Sequence, residues 1–191
     1  PFLYALMNLM GSHDRPRILN VLAGNDGSDI PRDQRAHHRL SPEERMIGAL
    51  REQLMLRFIF SVPGMPCIYY GDEAGMEGCA DPFCRRTYPW GHEDAQMLAR
   101  YQAMTAMRNA HPVLRTGECV YLAPCADVLG VIRKNESGRD AFGSQAENAC
   151  AVTLINRSAK EIVVYLTAED VCGAKTLVTD DGQTLSARGG A

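Results

Sequence analysis

The sequence contains no long hydrophobic segment and no excess of positive charge. None of its apolar runs approaches the roughly 20 residues that a helix needs to cross a bilayer, so we expect no membrane partner. Its 20 basic and 23 acidic side chains give a net charge of −3, which provides neither the basic surface typical of nucleic-acid-binding proteins nor a polybasic membrane anchor. The composition therefore favours a neutral or weakly polar ligand.

Cysteine does not occur in the arrangement that is typical of disulfide-rich secreted proteins. The chain has 7 cysteines, an odd number, and their spacing is irregular. Cys79 and Cys84 are close in sequence, but no second close pair is placed to complete a zinc site with them. We therefore expect a cytoplasmic protein and predict no metal ligands in this chain.

Strong helix signals lie in the first part of the chain. Ser41 supplies an N-cap hydroxyl, Pro42 occupies the first helical position, and Glu44 is placed to complete a capping box. The helix that begins there carries an apolar stripe that we expect to pack on another element, formed by Met46, Ile47, Leu50, Leu54 and Phe58. A second amphipathic helix is predicted from about residue 94 to residue 110. Between the two helices, the apolar run 67–70 predicts a strand that is covered on both faces, which indicates the α/β class.

After Gly117 the pattern changes to short strand signals separated by turn residues. The predicted strands are 119–122, 128–133, 150–155 and 162–166. Short strands in series, with Gly, Asn, Asp and Ser between them, are typical of antiparallel sheets. The sequence therefore predicts an all-β domain after the α/β part.

The densest group of chemically active side chains follows an apolar segment, in the sequence Gly-Ser-His-Asp-Arg-Pro-Arg at 11–17. A loop at the C-terminal end of a strand can direct His13 and Asp14 into one cleft, and Arg17 could hold a carboxylate bidentately nearby. Alternatively, Asp14 caps the next segment, and Arg15 and Arg17 are solvated charges. The local chemistry alone does not decide between these interpretations.

The segment 11–17 resembles the seventh-strand motif of the α-amylase family, most closely that of the neopullulanase and cyclomaltodextrinase branch. Two further segments resemble family motifs in the family's order. They are 63–78 (Pro-Gly-Met-Pro-Cys-Ile-Tyr-Tyr-Gly-Asp-Glu-Ala-Gly-Met-Glu-Gly), similar to the eighth-strand motif, and 81–86 (Asp-Pro-Phe-Cys-Arg-Arg), similar to the loop after it. The resemblance covers essentially the whole chain. It implies that residues 1–115 are the last part of a (β/α)8 TIM barrel, with strands 7 and 8, and that residues 116–191 are a C-terminal antiparallel β-sandwich domain.

The resemblance also implies a retaining glycoside hydrolase that acts on α-glucosidic bonds of malto-oligosaccharides, cyclodextrins, pullulan or starch. Asp14 matches the family carboxylate that stabilises the transition state, and His13 would contact the same sugar. Asp81 and Arg85 match positions that line the donor side of the cleft, although a surface salt bridge that stabilises a long loop is an alternative for them. Arg17 would support the site.

The family's nucleophile and general acid lie on strands four and five, which have no counterpart in this sequence, so we expect the chain to be inactive alone. No cofactor is implied for it, although calcium is found in many complete relatives. A partial barrel exposes an apolar sheet edge, so we expect self-association or association with the rest of the enzyme. The alternative function is a noncatalytic glucan-binding or scaffold protein derived from the same fold.

Two further pairs of residues attract attention near the eighth-strand motif. Asp72 and Glu73 are adjacent, and adjacent residues on a strand point to opposite faces, so we interpret them as structural hydrogen-bonding groups rather than a catalytic pair. Trp90 and Tyr88 could stack on sugar rings, but a tryptophan beside a proline is more often a packing residue.

Overall fold

The computed structural model of the protein describes residues 2–179 and 182–186. Its helices are α1 (Ile18–Ala23), α2 (Pro42–Ser61), α3 (Ala95–Ala110) and α4 (Val113–Thr116), and one turn of 3₁₀ helix spans Phe2–Ala5. Two short strands, β1 (Met7–Leu9) and β2 (Met65–Cys67), pair in parallel, with Met7 opposite Met65. Because α1 and α2 connect β1 to β2, this part is a strand-helix-strand crossover unit. Within the described ranges, no helix has the length and apolar character of a membrane span.

The N-terminus of α2 has the capping box that the sequence predicts. Ser41 Oγ accepts a hydrogen bond from the Glu44 backbone N–H at 3.2 Å, and the Ser41 N–H donates to Glu44 Oε2 at 2.8 Å. Pro42 occupies the first helical position, where its missing N–H leaves no hydrogen bond unmade. The predicted start of this helix is confirmed, and so is the second predicted helix, which α3 forms with Asp94 as its N-cap.

The hydrophobic core of the first part lies between α1, α2 and α3. Its fully or largely buried members are Leu19, Leu40, Leu56, Ile59, Phe60, Met97 and Tyr101. Gly48 lets α1 approach α2 closely, because a Cβ at this position would lie 2.7 Å from the carbonyl oxygen of Leu19. The buried face of α2 therefore passes through Gly48, Glu52 and Leu56.

The apolar stripe expected to pack along α2 is wrong in its first half. Met46, Ile47 and Leu50 are exposed to solvent, because the helix turns Gly48 and Glu52, rather than these residues, toward α1 and α3. Periodicity identified the helix but selected the wrong face, since a fully buried glutamate would not be assigned to the core from sequence.

The predicted strand 67–70 is also wrong in position and in burial. Strand β2 ends at Cys67, and Met65 on β2 is exposed, as are Met7 and Leu9 on β1. Parallel sheets are normally covered on both faces. We call the surface formed by Met7, Leu9 and Met65 the open sheet face.

The second part of the chain is antiparallel β structure. Strands β3 (Glu118–Cys125), β4 (Val128–Asn135) and β5 (Ala149–Asn156) form one sheet in that order, so the first three predicted strands are confirmed. A small separate hairpin consists of β6 (Thr176–Val178) and β7 (Thr184–Ser186). The strand expected at 162–166 is not formed, and Val163 and Tyr165 are exposed, because no strand among the described residues pairs with this segment.

Two buried arginines donate hydrogen bonds to carbonyl oxygens at the ends of the helices, and one of them, Arg133, connects the β sheet to those ends. Arg133 on β4 donates hydrogen bonds to the carbonyl oxygens of Ser61, Leu114 and Gly117 at 2.9, 2.6 and 2.8 Å. Arg108 on α3 donates to carbonyl oxygens at the end of α2 and just after it. The C-terminal end of a helix carries partial negative charge, which stabilises a guanidinium there. Burial and the neighbouring Arg133 nevertheless lower the pKa of Arg108 to about 10.

Candidate active site

His13 and Asp14 lie in the loop that follows β1, and their side chains contact each other. His13 Nε2 is 3.2 Å from Asp14 Oδ2, and the two side chains are 64% and 67% exposed. Asp14 does not cap the next helix, because the N-cap of α1 is Arg17 and no side chain caps that N-terminus. The capping interpretation of Asp14 is therefore wrong, and its carboxylate is open to solvent.

Arg85 brings the loop after β2 against the loop after β1. Its Nη2 lies 2.6 Å from Asp81 Oδ1 and 3.5 Å from Asp14 Oδ1, and its Nε donates to the carbonyl oxygen of His13 at 3.0 Å. The structure thus places His13, Asp14, Asp81 and Arg85 in one cluster, which we call the polar cluster. Both loops follow parallel strands, so the cluster lies at the edge where β/α folds place their binding sites.

The polar cluster contributes little to folding, since exposed ion pairs stabilise a protein by only about 0–1 kcal/mol. The Asp81–Arg85 pair has the i,i+4 spacing, and both side chains are nearly half exposed. Two carboxylates, an imidazole and a guanidinium together offer both donors and acceptors, as a ligand with several hydroxyl groups requires.

Arg17 is not a solvated charge, because its side chain is fully buried. Its Nη1 donates to Asp72 Oδ1 at 3.0 Å and to the carbonyl oxygen of Tyr70. Its guanidinium lies over the Tyr69 and Tyr70 rings, 4.3 and 4.6 Å from their centroids. The expected bidentate contact with a carboxylate is not formed, because Arg17 Nε donates instead to the carbonyl oxygen of Cys84 at 2.8 Å.

The contacts of Arg17 connect it to the backbone of His13. Arg17 Nε holds the carbonyl oxygen of Cys84, and Cys84 Sγ donates to the carbonyl oxygen of His13 at 3.1 Å. Arg85 Nε donates to the same oxygen. The backbone that carries His13 and Asp14 is therefore held by the loop after β2, and that loop is held by Arg17. Arg17 thus holds the loop backbone through contacts other than the bidentate one expected, and its role in supporting the site stays a prediction.

Asp72 is the buried partner of Arg17, and sequence reasoning did not pair the two residues. Burial raises the pKa of Asp72 to about 6, although the hydrogen bond and charge of Arg17 oppose the shift. Glu73 does not share this environment, since its Oε2 accepts a hydrogen bond from the Gly71 N–H at 2.8 Å. The two acids lie in a turn rather than on a strand, so the physical reason given for separating them is wrong, but their side chains do have different partners.

A second buried acid lies in the helical core and was also missed. Glu52 on α2 is fully buried and accepts a hydrogen bond from Tyr101 Oη of α3 at 2.5 Å. Burial raises the pKa of Glu52 to about 8, with the Tyr101 hydrogen bond acting in the opposite direction. In the described ranges, no three His, Cys, Asp or Glu residues are grouped so that they could hold a metal ion.

Comparison with known proteins relates the chain to amylopullulanases and cyclomaltodextrinases. No family model matches it. It is 34% identical over 194 residues to the amylopullulanase of Thermoanaerobacter thermohydrosulfuricus, a match that covers 97% of this chain and 13% of the relative. It is 30% identical over 156 residues to the cyclomaltodextrinase of Geobacillus thermopakistaniensis, covering 81% of this chain and 21% of the relative.

Comparison with solved structures relates the chain to enzymes of the same kind. The structure superimposes on the maltogenic amylase of S. marinus with a TM-score of 0.62 and 25% sequence identity, covering 94% of this chain and 20% of that one. The chain thus spans much less than a third of the length of each relative. The expected family is confirmed: the chain is homologous to part of the α-amylase-family glycoside hydrolases represented by amylopullulanases, cyclomaltodextrinases and maltogenic amylases.

Proposed function

We propose that this chain is the C-terminal portion of a retaining glycoside hydrolase that cleaves α-glucosidic bonds in malto-oligosaccharides, cyclodextrins, pullulan or starch. The observation that carries the proposal is the polar cluster. Four residues from two loops, 67 or more positions apart in sequence, present their polar groups together at the carboxyl ends of two parallel strands. Homology to amylopullulanase and cyclomaltodextrinase supports the same substrate class.

Within this proposal, Asp14 stabilises the transition state by hydrogen bonding to hydroxyl groups of the sugar at the cleaved bond. His13 contacts the same sugar, and Asp81 and Arg85 bind the substrate on the donor side, roughly two or three sugars from the cleaved bond. Such hydrogen bonds accelerate the reaction when they strengthen as the sugar ring flattens. The nucleophile and the general acid are proposed to lie outside this chain, which is then inactive alone and requires no cofactor of its own.

The proposal includes a division of the chain. Residues 1–115 would be the last part of a (β/α)8 barrel, and residues 116–191 a C-terminal β-sandwich domain, of which 180–181 and 187–191 lie outside the described residues. The parallel pair β1–β2 and the antiparallel sheet β3–β4–β5 support this division.

The open sheet face supports association with the rest of the barrel. Exposed Met7, Leu9 and Met65 lie on a two-stranded parallel sheet, and Met46 and Leu50 expose further apolar surface on α2. Adjacent β/α units of a barrel would cover surfaces of this kind. We further propose a cytoplasmic location, consistent with 7 free thiols among the described residues.

The test is the substitution Asp14→Asn in the complete enzyme. We expect kcat on maltotriose and pullulan to fall by at least about a hundredfold, roughly 3 kcal/mol, which is the scale for losing one aligned transition-state contact. Asp127→Asn makes the same charge change in the turn between β3 and β4, where Asp127 pairs with exposed Arg157, and should leave kcat unchanged. Near-normal turnover by Asp14→Asn would refute the proposed role.

A noncatalytic glucan-binding protein remains the second candidate, because every residue of the polar cluster is suited to holding a sugar and none is proposed to be the nucleophile or the general acid. The coding sequence upstream of this chain separates the two. A strand-four Asp and a strand-five Glu favour the enzyme, whereas their absence, together with maltotriose binding without turnover, favours the binding protein.

A further inference from the structure

Trp90 is the single tryptophan of the chain, and its side chain is 80% exposed. The expectation that it is a packing residue is therefore wrong for the described residues. Its ring contacts Tyr88, with 4.5 Å between ring centroids and planes tilted by 47°. An exposed tryptophan carries a large apolar area in contact with water, which makes its position on the surface informative.

The backbone around Trp90 forms a defined turn in which the ring is exposed. The Trp90 N–H donates to the carbonyl oxygen of Tyr88 at 3.0 Å, and the His92 N–H donates to that of Pro89 at 2.8 Å. Gly91 adopts a φ of 76°, which reverses the chain directly after Trp90. The exposed ring is thus carried by a hydrogen-bonded turn and supported on one side by Tyr88.

The turn belongs to the same loop as two members of the polar cluster. Trp90 is five positions after Arg85, so their Cα atoms are at most roughly 18 Å apart. The segment between them is fixed to the strand-end region, because Tyr70 Oη donates to the carbonyl oxygen of Arg86 at 2.8 Å. A ligand that contacts Asp81 and Arg85 can therefore reach Trp90 if it is a short chain of several units.

We propose that Trp90, supported by Tyr88, is a stacking site for a glucose unit of an α-glucan, remote from the cleaved bond and adjoining the sugar held by Asp81 and Arg85. A pyranose ring has one face of C–H bonds, which complements the negative face of an indole ring. The hydroxyl groups on the rim stay solvated, which fits a platform that is open on its outer side. The inference rests on the proposed α-glucan substrate and extends it to substrate length.

The kinetic test uses Trp90→Ala in the complete enzyme, with Tyr165→Ala as a matched control because Tyr165 is an 89% exposed aromatic side chain in the β part. We expect KM for maltohexaose to rise about five- to tenfold, the effect of losing about 1 kcal/mol of stacking. KM for maltotriose and both kcat values should stay unchanged. A residue that merely packs would instead alter kcat, thermal stability or both substrates together, and that result would overturn the proposal.

A direct test uses the isolated chain, whose fluorescence excited at long wavelength reports Trp90 alone. Maltohexaose should shift the emission in a saturable manner, and cellohexaose, which has the same sugar in β linkage, should not. If Arg85→Met weakens maltohexaose binding while Trp90→Ala leaves the affinity unchanged, the stacking site is refuted but the α-glucan ligand is not. If calorimetry detects no maltohexaose binding to either the chain or the complete protein, the proposed function and the stacking site fail together.

Discussion

Removing Arg17 should destabilise the protein by an amount that depends on pH, because its partner can take up a proton. The substitution Arg17→Met leaves the Asp72 carboxylate buried without its 3.0 Å ion pair. Breaking a buried pair in this way costs about 3–5 kcal/mol, a large part of the roughly 5–15 kcal/mol by which domains are stable. The carboxylate can avoid part of this cost by becoming neutral.

The direction of the pH effect follows from the pKa of Asp72. The pKa of Asp72 is about 6 in the folded protein, which is above the ordinary value of an aspartate. The folded state therefore holds the proton more strongly than the unfolded state, and wild-type stability falls as pH rises from that ordinary value through about 6. Without Arg17, the two interactions that lower this pKa are lost and it rises further. The loss of unfolding free energy caused by Arg17→Met should then be greater at about pH 8 than at about pH 5. The difference is about 1.4 kcal/mol for each unit by which the substitution raises the pKa of Asp72.

Removing the other partner of the pair, Asp72, should give a loss of stability with the opposite pH dependence. Asp72→Asn leaves the Arg17 guanidinium buried, and a guanidinium does not lose its proton in this range. The variant lacks the carboxyl group that makes the wild type less stable as pH rises. Its loss of unfolding free energy relative to the wild type should therefore be about 1 kcal/mol smaller at about pH 8 than at about pH 5. The contrast in sign between the two variants does not depend on the absolute cost of either.

Urea unfolding followed by far-UV circular dichroism at both pH values measures these losses, provided that the m-value is unchanged. Arg157→Met is the matched control, since Arg157 forms an exposed pair with Asp127 at 3.2 Å and should cost less than about 1 kcal/mol at either pH. Losses for Arg17→Met and Asp72→Asn that change in the same direction with pH would refute the reasoning.

Two further predictions concern the buried groups outside the polar cluster. Because burial raises the pKa of Glu52 to about 8, the stability of the wild type should fall as pH rises toward that value. Glu52→Gln, which keeps the Tyr101 contact, should remove this fall, and urea midpoints at about pH 6 and about pH 9 measure it. The assignment is contradicted if the variant loses as much stability between these pH values as the wild type does. Arg133→Met leaves the buried carbonyl oxygens of Ser61 and Leu114 without the Arg133 donor, whereas that of Gly117 keeps its hydrogen bond from Tyr4 Oη, so the substitution should cost at least about 2 kcal/mol. Hydrogen exchange should accelerate both in β4 and at the end of α2, and acceleration in β4 alone would contradict the link between them.

Features that depend on neighbouring residues in sequence could be predicted. Ser41 and Glu44 form the predicted capping box, Asp94 caps α3, and the first three β strands are found where their patterns lie. In each case the signal and its structural cause lie within a few residues. The strand expected at 162–166 shows the limit, because an apolar run of this kind forms a strand only when another strand is available to pair with it.

Features that depend on distant contacts could not be predicted from pattern alone. Arg17 and Asp72 are separated by 55 positions, and only the folded chain shows that they are buried together. Their signal in the sequence is a charged residue next to an apolar or aromatic run, which does not identify a partner. The polar cluster could be anticipated because three motifs occur in the order of a known family, whereas its contact between Arg85 and the carbonyl oxygen of His13 could not.

The position of Arg133 limits how this protein could be recombined with its relatives. Its hydrogen bonds cross from the β sheet to the ends of two helices, so residues 118–186 are not an exchangeable module. A chimera that takes this part from another enzyme must bring a long cationic donor at position 133. It must also keep the three accepting carbonyl oxygens in place. Otherwise the two parts of the chimera will not pack together, even when each part is well folded in its own parent.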